Sequence, residues 1–104
     1  MALAIDSSNF ETLAKGDKLV IIDFWAQWCG PCKALGPVVE ELAQEYENEV
    51  IIGKCDVDEN NELAAQFGVM NIPMLVFLKN GEMVDALVGL VSKDKIVKKI
   101  EAFK

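Results

Sequence analysis

Cys29-Gly30-Pro31-Cys32 brings two thiols within three residues of each other, and no other side chains in the sequence carry more obvious chemistry. Before them runs Lys18–Ala26, β-branched and aromatic with little alternation, the pattern of a central strand covered on both faces. After them Leu35, Val38, Val39, Leu42 and Tyr46 recur at helical steps. The cysteines therefore sit where a buried strand hands over to a helix. Cys29 is expected at or just before the first helical turn, with Cys32 one turn further in. At that spacing the two Cα atoms are close enough for a disulfide. Free N–H groups and the positive dipole end of the helix favour thiolate over thiol, which makes Cys29 the better nucleophile. Pro31 suits the first helical position, where its missing N–H costs nothing.

Two plainer uses of the pair compete with redox chemistry. A zinc site needs about four ligands, and the sequence offers one further thiol, Cys55, and no histidine. A static structural disulfide would be poorly maintained in a reducing compartment. A CxxC beside a βαβ pattern favours the redox reading. The absence of histidine also excludes a His-assisted nucleophile, a His ligand and a His general base. Proton transfer near neutral pH then falls to a shifted carboxyl, lysine or thiol. Asp23 stands mid-strand between Ile22 and Phe24, where an ionised carboxylate is costly to bury. Desolvation should raise its pKa into the range of a general acid or base. Its alternative is a structural polar residue paired with Lys54.

The elements that must hold these groups follow from pattern. Ser8-x-x-Glu11 reads as a capping box before a short helix with Phe10, Leu13 and Ala14. Pro37 falls inside the helix after the cysteines and should kink it. Val50–Ile52 with Cys55 and Val57 reads as a strand, and Gly68 is positioned to end a short helix carrying Leu63, Ala64 and Phe67. Met74–Leu78, a type I′ turn at Asn80-Gly81, and Met83–Val88 form a hairpin. Ser92 caps a last helix with Ile96, Val97, Ile100 and Phe103 on one face. With an N-terminal strand the order is βαβαβαββα, an α/β arrangement with a mixed sheet and helices on both faces.

The sequence has 104 residues, 52% of them hydrophobic, which suits one domain, 1–104, with a core of its own. No apolar stretch reaches membrane-spanning length, and MALAIDSSNF has neither the basic nor the apolar region of a secretory signal, so a cytoplasmic location is expected. The net charge is −7 and all ten cations are lysines, a poor match to phosphate backbones. No GxGxxG or P-loop pattern is present, so no bound nucleotide or flavin is expected and a separate reductase must supply electrons. Cys55 reads as a buried free thiol acting as a small hydrophobe, with a regulatory thiol as the alternative.

Phe24-Trp25-Ala26-Gln27-Trp28-Cys29-Gly30-Pro31-Cys32-Lys33 resembles the active-site segment of the thioredoxins, and the resemblance covers nearly the whole chain. Asp23, Pro37, Ile72-Pro73, Gly81 and Gly89 add to it. It implies the thioredoxin fold, a single domain whose central mixed five-stranded sheet is flanked by four helices. It implies a protein-disulfide reductase that cycles a Cys29–Cys32 disulfide, with no metal and no bound cofactor. Cys29 is then the nucleophile and Cys32 the resolving thiol, with Gly30 and Pro31 between them. Asp23 is the general acid/base that deprotonates Cys32, and Lys54 tunes it. Pro73 is cis beside the disulfide, with Ile72 offering its backbone to an extended substrate. Trp28, Ile72, Pro73, Gly89 and Leu90 form the apolar substrate surface, with Trp25 as core support. The implied partners are an NADPH-dependent thioredoxin reductase and disulfide-bearing proteins, with the chain itself a monomer that binds neither nucleic acid nor membrane. A disulfide-forming oxidase or isomerase, and a binding module needing no turnover, are the competing uses of such a domain. Asn71, Met74 and Leu90 depart from the small or hydroxylated residues usual in the family. Met74 and Leu90 are expected to enlarge the apolar patch or crowd the sulfurs.

Overall fold

Little alternation along Leu19–Trp25 demands cover on both faces, and this stretch lies in the middle of the sheet. The computed structural model describes residues 2–104. In chain order the elements are β1 (Leu3–Ala4), α1 (Phe10–Ala14), β2 (Leu19–Trp25), α2 (Gly30–Glu45), β3 (Val50–Asp56), α3 (Asn61–Gln66), β4 (Met74–Lys79), β5 (Glu82–Val88) and α4 (Lys93–Phe103). The sheet order is β1-β3-β2-β4-β5. β1, β3 and β2 run parallel, while β4 pairs antiparallel with both β2 and β5. This is the mixed five-stranded sheet with four helices read from the sequence.

Period-two alternation along β2 divides the core in two. Leu19 and Ile21 join Leu35, Val39 and Leu42 of α2 and Ile96 and Ile100 of α4. Val20, Ile22 and Phe24 point the other way, toward Leu63 and Ala64 of α3, with Phe10 and Leu13 of α1 packed against them. Asp23 takes its place in the first series, on the face that α2 covers. The site thus forms at the C-terminal end of β2, where the chain leaves the sheet and turns into α2. In open α/β sheets this is where ligands are met.

Local chemistry sets the joints. Gly68 (φ +64) ends α3 in a Schellman motif, its N–H donating to Ala65 at 3.0 Å while Val69 N–H donates to Ala64 at 3.0 Å. Asn80 and Gly81 both have positive φ, as a type I′ turn requires. Ser92 Oγ accepts the Lys95 N–H at 3.2 Å and caps α4. The cap of α1 differs from the expected Ser8–Glu11 box. Asn9 is the N-cap, its side chain accepting no N–H of the helix, and Asp6 instead holds the turn that leads into it. Its carboxylate accepts from the Ser8 and Asn9 N–H groups, and Asn9 Oδ1 accepts the Asp6 N–H. Ser8 Oγ instead donates to Asp6, because a carboxylate already in reach is the stronger acceptor. Pro31 is the second helical residue, one later than expected, since Gly30 opens α2. α2 continues through Pro37 to Glu45.

β1 was the element least marked by pattern, and one glycine admits it. Gly53 pairs with Leu3 on one side and Ile22 on the other. A Cβ there would lie 2.7 Å from the Leu3 carbonyl oxygen and would press into the Ile5 side chain. Gly53→Ala is therefore expected to cost about 1–3 kcal/mol by forcing β1 outward. Urea unfolding measures it; an unchanged midpoint would show that β1 is not held by this close approach.

Candidate active site

At the end of β2 the chain passes Ala26, fully buried, and reaches Cys29 as the N-cap of α2. Its backbone is extended (φ −93°, ψ 109°), and its Sγ accepts the Cys32 N–H at 3.2 Å. A sulfur thus stands where a helix usually places a hydroxyl or carboxylate oxygen. Cys29 and Cys32 form a disulfide with their Cα atoms 5.3 Å apart. Both are buried, Cys29 slightly less so than Cys32. With the disulfide reduced, the same N–H and helix dipole would stabilise negative charge on Cys29.

Two further segments reach the sulfurs. The Ile72–Pro73 peptide bond is cis, and the Ile72 carbonyl oxygen lies 3.9 Å from Cys29 Sγ. The Pro73 carbonyl is already engaged, accepting the Gly89 N–H at 2.8 Å, which ties Gly89 (φ +91) and Leu90 to the same corner. Trp28 stands exposed beside Cys29, its indole N–H donating to Asp58 Oδ2 at 2.8 Å. Asp58 is held by its own N–H, which donates to Asp56 Oδ1 at 2.9 Å. Sequence reasoning missed Asp58, because nothing in the polar turn Asp56–Asn60 marks which carboxylate reaches back to the tryptophan.

Asp23 is fully buried, and neither carboxyl oxygen has a hydrogen-bond partner among the described residues. Desolvation raises its pKa to about 6, opposed by the charge of Lys54. Lys54 is its register partner on β3, but the pairing is electrostatic and not a contact ion pair. Its Nζ lies over the Trp25 ring, 4.5 Å from the centroid. That cation–π contact gives Trp25 a part in holding Lys54 as well as in packing. Gly36 of α2 comes close above, so that a Cβ there would lie 3.7 Å from Lys54 Nζ.

The remaining predicted residues divide clearly. Leu90 is exposed at the corner, whereas Met74 is buried among Phe24, Val76 and Leu78 and adds nothing to the surface. The expectation for Met74 is corrected by strand phase: as the first residue of β4 it shares a face with Val76 and Leu78. Cys55 is a free, fully buried thiol, pushed up to about 11 by burial. Among the described residues no group of His, Cys, Asp or Glu side chains is arranged to hold a metal ion.

A family model described as Thioredoxin matches residues 2–102. The chain belongs to the thioredoxin family. It is 50% identical over 94 residues to a thioredoxin of Chlorobaculum thiosulfatiphilum, covering 89% of this chain and 87% of that one. It is 49% identical over 98 residues to a thioredoxin of Staphylococcus haemolyticus, covering 93% and 92%. The solved structure of a Malassezia sympodialis thioredoxin superposes with a TM-score of 0.91 at 38% identity, covering 99% of this chain and 90% of that one. Family and disulfide together make the chain a thiol–disulfide oxidoreductase with a redox-active Cys29–Cys32 pair.

The buried carboxylate carries a stability consequence with a definite sign. Its folded pKa of about 6 lies above the unfolded value of 3.8, so the folded state holds the proton more tightly. Stability is then highest with Asp23 protonated, falls as pH rises from about 4 to 6, and stays lowered above that. Asp23→Asn removes an ionisation cost of roughly 2–3 kcal/mol at pH 8 and changes little at pH 3.5. Urea midpoints of both proteins at the two pH values check this; equal midpoints at pH 8 would mean the carboxylate is not strained by burial.

Proposed function

We propose that the chain reduces protein disulfides, with Cys29 as the attacking thiolate and Cys32 as the resolving thiol. The observation that carries the assignment is the N-cap geometry: of the two sulfurs, Cys29 receives the Cys32 N–H at 3.2 Å and has the helix dipole behind it. The Cys29 thiolate attacks one sulfur of the substrate disulfide, which breaks, and the departing sulfur leaves as a thiolate that takes up a proton. Cys32, deprotonated, then attacks Cys29 Sγ and expels the second substrate thiolate. Two electrons pass to the substrate, and the protein is left with its own disulfide.

Asp23 is the acceptor we assign to the Cys32 proton. It sits on the face of β2 that α2 covers, has no competing hydrogen bond among the described residues, and is poised near pH 6. Lys54 and Trp25 act as positioning residues, setting the field that Asp23 feels. Gly30 and Pro31 fix the spacing of the sulfurs. Trp28, Ile72, Pro73, Gly89 and Leu90 form the surface that an extended substrate meets, with the Ile72 carbonyl beside Cys29 Sγ and the Pro73 carbonyl bonded to Gly89. Re-reduction is assigned to an NADPH-dependent thioredoxin reductase, and the chain acts as a cytoplasmic monomer. No helix among the described residues is long and apolar enough to cross a membrane.

Equilibration of the Cys29–Cys32 pair against graded dithiothreitol, with alkylation to count thiols, tests the direction. A midpoint well below the glutathione pool is expected; one near or above it would favour an oxidase or isomerase. Cys32→Ser is expected to accumulate a mixed disulfide through Cys29, and Cys29→Ser to form none. Asp23→Asn should slow turnover at least several-fold across pH 6–8 and remove its dependence on a group titrating near 6. Unchanged turnover over that range would rule out the general-base role.

A further inference from the structure

β5 is last in the sheet order, so its outer side has no strand neighbour among the described residues. The opposite edge, β1, is two residues long and too short to recruit another strand. β5 runs for seven residues, and apart from Glu82 and Asp85 they are apolar. Val84 (39%) and Val88 (56%) are exposed on it. Val84 has no opposite number on β4, because the register passes from Phe77–Asp85 to Leu78–Met83. A long apolar edge strand is a ready template for pairing with another chain.

Strand phase decides which backbone groups point outward. The Gly89 N–H donates inward to Pro73, and an antiparallel ladder alternates. Leu87 and Asp85 therefore face β4, while Val88 and Ala86 turn their N–H and C=O groups to the open edge. The Ala86 N–H is nonetheless occupied: it donates to Asp85 Oδ1 at 2.8 Å. Asp85 Oδ2 in turn accepts from Lys99 Nζ of α4 at 2.6 Å. Lys99 and then the Ala86 N–H hold this carboxyl below its usual range, and an ionised carboxylate can only accept. It covers the central donor of the edge and offers an arriving carbonyl nothing in return. The pair is partly exposed and adds little stability, so its position is what matters.

The segment that best fits this edge is β5 of a second copy. Laid antiparallel and centred on Ala86, two copies match Val84 with Val88 and Val88 with Val84, an uncharged and self-complementary row. Glu82 of one copy would then lie level with Leu90 of the other, at the Gly89 corner beside the disulfide. We propose that Asp85, braced by Lys99, keeps this edge closed and the chain monomeric, and that without it two copies pair along β5. This rests on the monomer assigned above and is independent of the redox reading.

Sedimentation equilibrium of three proteins up to about 1 mM, the weak limit of measurable pairing, tests it. The unaltered protein and Asp17→Ala, which removes an exposed carboxylate far from the edge, are expected to stay monomeric. Asp85→Ala should dimerise at least tenfold more tightly than either, with the Ala86 amide exchanging more slowly as concentration rises. Adding Val84→Lys to Asp85→Ala should return the monomer, since a lysine on the edge opposes pairing. Asp85→Thr, uncharged and suited to a strand, repeats the measurement if the alanine variant does not fold. Monomeric Asp85 variants beside a monomeric parent would overturn the role of Asp85 alone. A dimer that Val84→Lys leaves intact, or association of Asp17→Ala to the same degree, would overturn the β5 edge as its cause. A dimeric parent would overturn both this proposal and the monomer it rests on.

Discussion

The hydrogen bond from the Cys32 N–H to Cys29 Sγ is where fold and chemistry meet. A helix beginning directly after a buried strand needs an acceptor for its first N–H groups, and this chain supplies a sulfur. The same act that completes α2 also aims its dipole at one sulfur of the redox-active pair. Everything else in the structure serves that junction. β2 is gripped by β3 on one side and β4 on the other, and both its faces are covered, so its C-terminal end is a fixed platform. The bend before Pro73 and the turn at Gly89 then close around the sulfurs from the far side.

Asp23 is the opposing element. It occupies a position where any apolar side chain would serve the core better, and neither of its oxygens is partnered among the described residues. An unpaired buried carboxylate is tolerated only where the surrounding structure has stability to spare. Lys54 lies near enough to temper the charge, yet its ammonium rests on Trp25 and does not close onto Asp23. A contact ion pair would have held the carboxylate ionised and unable to take a proton near neutrality. The separation keeps it titratable.

Much of this was legible in the residues, and the parts that were not share a cause. The long buried strands, the Asn80-Gly81 turn, the Gly68 stop and the Ser92 cap each depend on one or two local side chains, so local pattern reveals them. Cys29-Gly30-Pro31-Cys32 was equally open, since its chemistry needs only neighbours in sequence. The α1 cap was misread because the Ser8 hydroxyl turns back to donate to the Asp6 carboxylate, the stronger acceptor in reach. Met74 was misjudged because its exposure depends on the phase in which β4 begins. Asp58 depends on how a separate loop folds back upon Trp28, which no periodicity encodes.

Cys55 lies in the same small molecule as the reactive pair, but it is sealed in the core with its thiol pushed up to about 11. At pH 7 its thiolate fraction is about one part in ten thousand. A third competent thiol would let a mixed disulfide migrate inward and strand the protein half-spent. With Cys55 out of play, the Cys29–Cys32 pair is the one thiol pair left to exchange, so the molecule trades electrons in twos.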